Sequence, residues 1–220
     1  MRVTEILTEG RNHPVIVIDV QPEYCGINDG DESSVCVEII EFVHNQTGPV
    51  LMFVNAEDMG LSGDTVHDVQ QYWVDTLIEL GYGSPGEEYW DDDDEYHYTE
   101  PTSPIDWRRY EVVDKGFGHF RAYMDQGVPD ATIIKMIRYL YQRRLNDARD
   151  LDYDDYVAIM GNDRLIDENF VINWTSVAQL KRFNGAYLVG GGRHECLREV
   201  ELLMNAFNIK YKRIDSLIYG

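Results

Sequence analysis

The chain has 220 residues and a net charge of −21, from 19 basic and 40 acidic side chains. So large an acidic excess repels nucleic acid and anionic membranes, and neither is expected as a partner; an anionic small molecule stays open if a pocket concentrates its own arginines. Hydrophobic content of 44% suits a soluble globular protein, and no apolar run is long enough for a membrane span. The N-terminal stretch MRVTEILTEGRNHP carries charges where a signal peptide needs its apolar segment. Three cysteines (Cys25, Cys36 and Cys196) are too few and too scattered for a disulfide framework or a zinc site, which makes a reducing, cytoplasmic setting the default expectation.

In chain order, HPVIVIDV (His13 to Val20) is a continuous apolar run ending in a carboxylate, and it reads as a buried parallel strand. Gln21-Pro22 breaks the run and a loop follows. Ser33 or Ser34 is expected to cap a helix through about Asn45, with Val35, Ile39, Phe42 and Val43 inward. VLMFVNA (Val50 to Ala56) is a second buried strand. Asp64 or Thr65 then opens a helix carrying Val66, Val69, Trp73, Leu77 and Leu80, closed by Gly81. Residues 82–106 are rich in Pro, Gly, Tyr and acid, show no period, and read as a long surface excursion whose Asp91 to Asp94 run is a solvated loop. RYEVVD is a third strand, leading into KGFGHFRAY. A helical pattern runs from Pro129 to roughly Arg149, and DYVAIMGNDRLIDENFVI is a candidate hairpin turning at Gly161-Asn162. Asn173 caps a short helix; Asn184-Gly185 then turns into a strand, a helix over Glu195 to Phe207 and a last strand over Ile209 to Ile214. This alternation predicts an α/β fold, a mostly parallel sheet with helices on both faces.

The ligand crevice of such a sheet lies beyond the carboxyl ends of its strands. There the first strand offers Asp19, the second Asn55 to Asp58, the third Lys115, and the fourth the run Gly190 to Cys196. Three glycines, Gly190 to Gly192, let the backbone approach a ligand, and Cys196 falls near the first turn of a helix. Free N–H groups and the helix dipole at that position lower a thiol's pKa and can hold an oxyanion. A neighbouring carboxylate can take the thiol proton, and a lysine beside both favours the ionised forms.

In VIVIDVQ, VVDKGFGHF and LVGGGRHECL the chain resembles the isochorismatase-like cysteine hydrolases, the superfamily that includes the nicotinamidases. The resemblance implies a three-layer, Rossmann-like sandwich in one domain over 1–220, with insertions at about 82–106 and about 124–172. It implies a catalytic triad of Asp19, Lys115 and Cys196 that cleaves the C–N bond of a small amide, with Asp19 as general base and later acid. Backbone N–H groups of Gly192 and Cys196 would form the oxyanion hole, one of them bordering a strained or cis peptide. Gln21, Asn55, His119, Phe120, Arg193 and His194 are the candidate substrate contacts. A homo-oligomer is expected, and no cofactor. The region after the second strand, NAEDMGLSGDTVHD, has His67 alone where nicotinamidases gather metal ligands, so no metal is carried over. Two other readings remain open: a vinyl-ether hydrolase using Asp19 and Lys115 without thiol attack, and a non-catalytic member kept for binding or assembly.

Overall fold

The structure, a computed structural model, describes residues 12–25, 31–54, 65–90, 96–99, 102–115, 117–118, 120–161 and 170–219. In chain order its elements are β1 (Val15–Ile18), α1 (Pro22–Cys25), α2 (Asp31–His44), β2 (Val50–Val54), α3 (Val66–Glu79), β3 (Glu87–Trp90), β4 (Tyr96–Thr99), β5 (Tyr110–Asp114), β6 (Phe117–Gly118), α4 (Phe120–Asp125), α5 (Asp130–Arg143), α6 (Tyr153–Met160), β7 (Val171–Ile172), α7 (Trp174–Arg182), β8 (Ala186–Gly190), α8 (Cys196–Ala206) and β9 (Tyr211–Arg213). Five strands form one sheet in the order β5-β2-β1-β8-β9, parallel at every pairing.

Alternation along the central strands sets the layers, because successive side chains leave a strand on opposite faces. Ile16, Ile18, Leu51, Phe53 and Leu188 pack on one side against Ile133, Ile137, Val177 and Leu203 of α5, α7 and α8. Val15, Val17, Met52, Val54 and Val189 pack on the other against Ile39, Val43, Trp73 and Leu77 of α2 and α3. β1, β2 and β8 are buried at every residue, as strands covered on both faces must be. Helices therefore flank the sheet on both sides, as expected.

Local signals explain where several helices begin. Thr65 caps α3 in a full capping box with Asp68, and Asn173 caps α7 by accepting the Thr175 N–H. α2 starts earlier than its serines suggest, at Asp31. Val66 at the start of α3 and Leu80 at its C-cap are each 40% exposed.

Two stretches differ from the sequence reading. Residues expected to form the first arm of a hairpin are the helix α6, which ends on Gly161 in the left-handed region. Its buried Tyr156 and Ile159 follow a helical spacing that four consecutive apolar residues (VAIM) conceal. Of the second arm, residues 162–169 lie outside the described residues, and Val171–Ile172 form β7, which pairs with β6. The excursion at 82–106 contains an antiparallel pair, β3 and β4; Asp91 to Asp94 lie outside the described residues.

Cys25 and Cys36 are joined in a disulfide that ties α1 to α2 across 11 residues. Scattered spacing did not suggest it, and a bond of this kind persists in oxidising surroundings, so the cysteine count no longer argues for a reducing setting. Among the described residues, no helix is long and apolar enough to cross a membrane.

The glycine turn after β8 approaches β1 closely. Gly190 and Gly191 have φ of +78° and +70°, and a Cβ on Gly190 would collide with the Ile18 carbonyl oxygen. The demand for glycine thus falls at 190 and 191, whereas a Cβ on Gly192 meets only the Glu195 side chain, at 3.4 Å or more. Gly190→Ala is expected to lose about 2 kcal/mol or more in urea denaturation, and Gly192→Ala to stay within about 1 kcal/mol of wild type. Equal losses from the two would contradict this reading of the turn.

Candidate active site

The site forms where the strand order reverses. β1 and β8 are neighbours whose connections run in opposite directions, so a crevice is left beyond their carboxyl ends. Asp19 and Lys115 are the first residues past β1 and β5, and both still take part in the ladder: the Asp19 N–H donates to Phe53 O at 2.8 Å, and the Lys115 N–H to Val54 O at 2.8 Å. Backbone pairing therefore sets their positions to within a hydrogen bond. Two strand spacings, roughly 10 Å, separate β5 from β1, and a lysine stem is long enough to lean back across β2. Lys115 Nζ ends 3.7 Å from Asp19 Oδ2.

Asp19 has a left-handed backbone, φ +51°, which a residue with a Cβ adopts at a cost of order 1 kcal/mol. Surrounding contacts hold it there. The Tyr219 hydroxyl donates to the Asp19 carbonyl oxygen at 2.7 Å, and Tyr219 O accepts the Arg193 N–H at 3.0 Å. The buried indole of Trp73 donates to the next carbonyl, Val20 O, at 3.0 Å. Tyr219 is 200 residues from Asp19 in sequence and was not foreseen; nothing local to either residue signals the contact.

Cys196 is the first residue of α8, and it is half-buried and free. At that position its N–H has no carbonyl within the helix to receive it. Among the described residues no backbone carbonyl accepts the N–H of Gly192 or of Cys196, while the Glu195 and Leu197 N–H groups both turn back to Gly192 O. Among those residues there is no cis peptide, and within the glycine turn the positive φ values are at Gly190 and Gly191.

A second carboxylate completes the cluster. Glu199 Oε2 lies 2.8 Å from Lys115 Nζ, a closer partner than Asp19. Its place in the sequence held a signal: it stands three residues after Cys196 on a helix, so the two share a face. Lys115, Asp19 and Glu199 are all at least 95% buried. Neither Asp19 carboxylate oxygen has a partner at hydrogen-bonding length. The Cys196 thiol acts on that carboxyl from a looser contact than a made hydrogen bond.

Burial sets the protonation balance. It pushes the Asp19 carboxyl above its usual range, against the Lys115 charge and the thiol contact. Burial, with the Asp19 charge behind it, pushes the Cys196 thiol up to about 12, more than Lys115 offsets. Burial also pulls Lys115 down, but the carboxylates of Asp19 and Glu199 outweigh it and keep the ammonium charged. The resting thiol is therefore protonated, whereas helix dipole and lysine alone led us to expect a thiolate.

Gln21 is fully buried at the head of α1. Arg193 pairs with Asp215 at 3.3 Å, and His194 is exposed in the turn. Phe120 opens α4, while Asn55 and His119 lie outside the described residues. His67 is exposed on α3. Comparison of the chain with protein-family models, curated proteins and solved structures finds no match.

The Asp19 carboxyl holds its proton more tightly folded than at its ordinary value of 3.8. Its favourable contribution is therefore complete below that value and is lost as pH rises through the folded-state value. Asp19→Asn is neutral throughout, so it should be more stable to urea than wild type at about pH 8, with the gap closing as pH falls toward about 4. A gap that is constant with pH would rule out a raised Asp19.

Proposed function

We propose that this chain is a cysteine hydrolase that cleaves the C–N bond of a small amide, in the manner of the isochorismatase-like hydrolases it resembles. The observation that carries this reading is the meeting of a thiol, a carboxylate whose oxygens make no hydrogen bond and a buried ammonium at one switch point of a parallel sheet.

The protonation balance favours general-base attack over a preformed thiolate. As the Cys196 sulfur bonds to the amide carbon, its proton passes to Asp19, whose burial makes it a stronger base than an ordinary carboxylate. The oxyanion is received by the N–H groups of Gly192 and Cys196. Asp19 returns the proton to the leaving nitrogen, the C–N bond breaks and a thioester remains. Water then attacks the thioester, Asp19 takes a proton from it, and that proton returns to the departing sulfur. Amide and water become acid and amine. Lys115 keeps its charge throughout and offsets whichever of Asp19 and Cys196 is negative. The reading needs no metal or cofactor.

Ammonia release from a panel of small primary amides is expected for wild type and should fall by about a thousandfold in Cys196→Ala and in Asp19→Asn. Asp19→Asn should at the same time speed iodoacetamide labelling of Cys196, because it removes a negative charge that raises the thiol. Loss of turnover with faster labelling separates a missing base from a damaged site. Turnover kept in Cys196→Ala would exclude thiol attack.

A further inference from the structure

Hydrolysis by this site moves a proton between the Cys196 sulfur and the Asp19 carboxyl, so its rate depends on how far apart the two are held. Resting on the hydrolase reading, we propose that Tyr219 is the positioning residue that fixes this separation, bracing the Asp19 backbone with its phenol and the turn before Cys196 with its main chain. Both contacts come from one buried residue. The Tyr219 hydroxyl donates to the Asp19 carbonyl oxygen at 2.7 Å. Its own carbonyl oxygen accepts the Arg193 N–H at 3.0 Å, and its backbone bridges Gly192 in the parallel sense. The Gly191 N–H also bears on the phenol oxygen.

Each side of the site needs the brace. The Asp19 N–H is fixed by Phe53 O and the Val20 carbonyl by the Trp73 indole, and between these anchors the backbone stands at φ +51°. Relaxation to an ordinary φ would turn the Asp19 carbonyl and swing its Cα–Cβ bond, carrying the carboxyl away from the sulfur. The phenol holds that carbonyl. On the other side, residues 191–195 connect β8 to α8 as a turn, and the contacts of Tyr219 with Gly192 and Arg193 attach that turn to the rest of the fold. Tyr219 is itself anchored: the Ile214 N–H donates to Leu188 O, and Leu217 and Tyr219 pack in the core with Val17 and Val189. Burial holds the phenol well above its ordinary range, so it stays a hydrogen-bond donor and takes no part in proton transfer. A misplacement of about 1 Å between reacting groups can cost about a hundredfold in rate.

A double-mutant cycle separates positioning from packing. Tyr219→Phe keeps the ring and removes the hydroxyl. Asp19 bears on the thiol through its charge and through their contact, so the effect of Asp19→Asn on Cys196 reads how firmly the carboxyl is held there. Iodoacetamide labelling of Cys196 at alkaline pH, followed by intact mass, should be accelerated by Asp19→Asn at least about threefold more with Tyr219 present than in Tyr219→Phe. Equal acceleration in the two backgrounds, or none in either, would overturn the proposal. In amide turnover, Tyr219→Phe should lower kcat by about thirtyfold with KM within about twofold, and should lower it less than about threefold further in Asp19→Asn. Equal losses with and without Asp19 would mark a packing role and overturn the proposal too. Tyr219→4-aminophenylalanine, which keeps a donor on the ring, should behave as wild type in both measurements; it also serves if Tyr219→Phe does not fold, and its failure to retain the coupling would count against the brace. Wild-type protein that shows the labelling coupling but hydrolyses no amide would refute the hydrolase reading alone. Turnover that depends on Cys196 and Asp19 without the coupling would refute the role of Tyr219 alone.

Discussion

Everything in this site depends on one ammonium group held between two carboxylates away from water. Lys115 could not stay charged in such a place alone, since transfer of an isolated ion into a protein interior costs several kcal/mol. Asp19 and Glu199 make the charge tolerable, and Lys115 does the same for them. The three residues come from the ends of β1 and β5 and from α8, so the cluster exists only when the sheet and its covering helix are assembled. An apolar replacement of such a cluster is often neutral or stabilising, so stability alone gives little reason for it. Proton transfer does give one. A buried carboxylate with raised affinity for a proton, next to a thiol, is a poor structural device and a useful base.

The sheet makes that placement possible. Order β5-β2-β1-β8-β9 brings the residue after β1 next to the glycine turn after β8, and only parallel pairing puts these ends on the same edge. Gly190 and Gly191 let the turn fold back against Ile18, which in turn aims the start of α8 at Asp19. The strained Asp19 backbone, held by Tyr219, belongs to the same arrangement. Strain and a burial-raised proton affinity meet at one residue, as they do where function opposes stability.

Much of this was legible in the chain. Unbroken apolar runs at 13–20 and 50–56 marked strands covered on both faces, and Thr65 and Asn173 marked helix starts through their own capping chemistry. Asp19, Lys115 and Cys196 could be brought to one edge because strand ends are comparable in a parallel sheet. Features set by tertiary contact were not legible. Tyr219 reaches Asp19 from the far end of the chain, and the Cys25–Cys36 bond joins two helices whose packing the spacing does not reveal. Residues 153–160 are apolar over too short a run for period to separate helix from strand. Glu199 was readable from its spacing to Cys196, but a charged residue in the first turn of a helix is usually solvated. The thiol's protonation could not be read at all, because burial outweighs both the lysine and the helix end.

The most direct test is to trap the covalent intermediate. Wild-type protein incubated with small neutral amides, quenched in acid and weighed intact should carry the acyl mass of the substrate, mapped to Cys196 and absent from Cys196→Ser. An amide that is hydrolysed with no acyl mass ever found on Cys196, even when the quench outruns turnover, would contradict nucleophilic attack by this thiol.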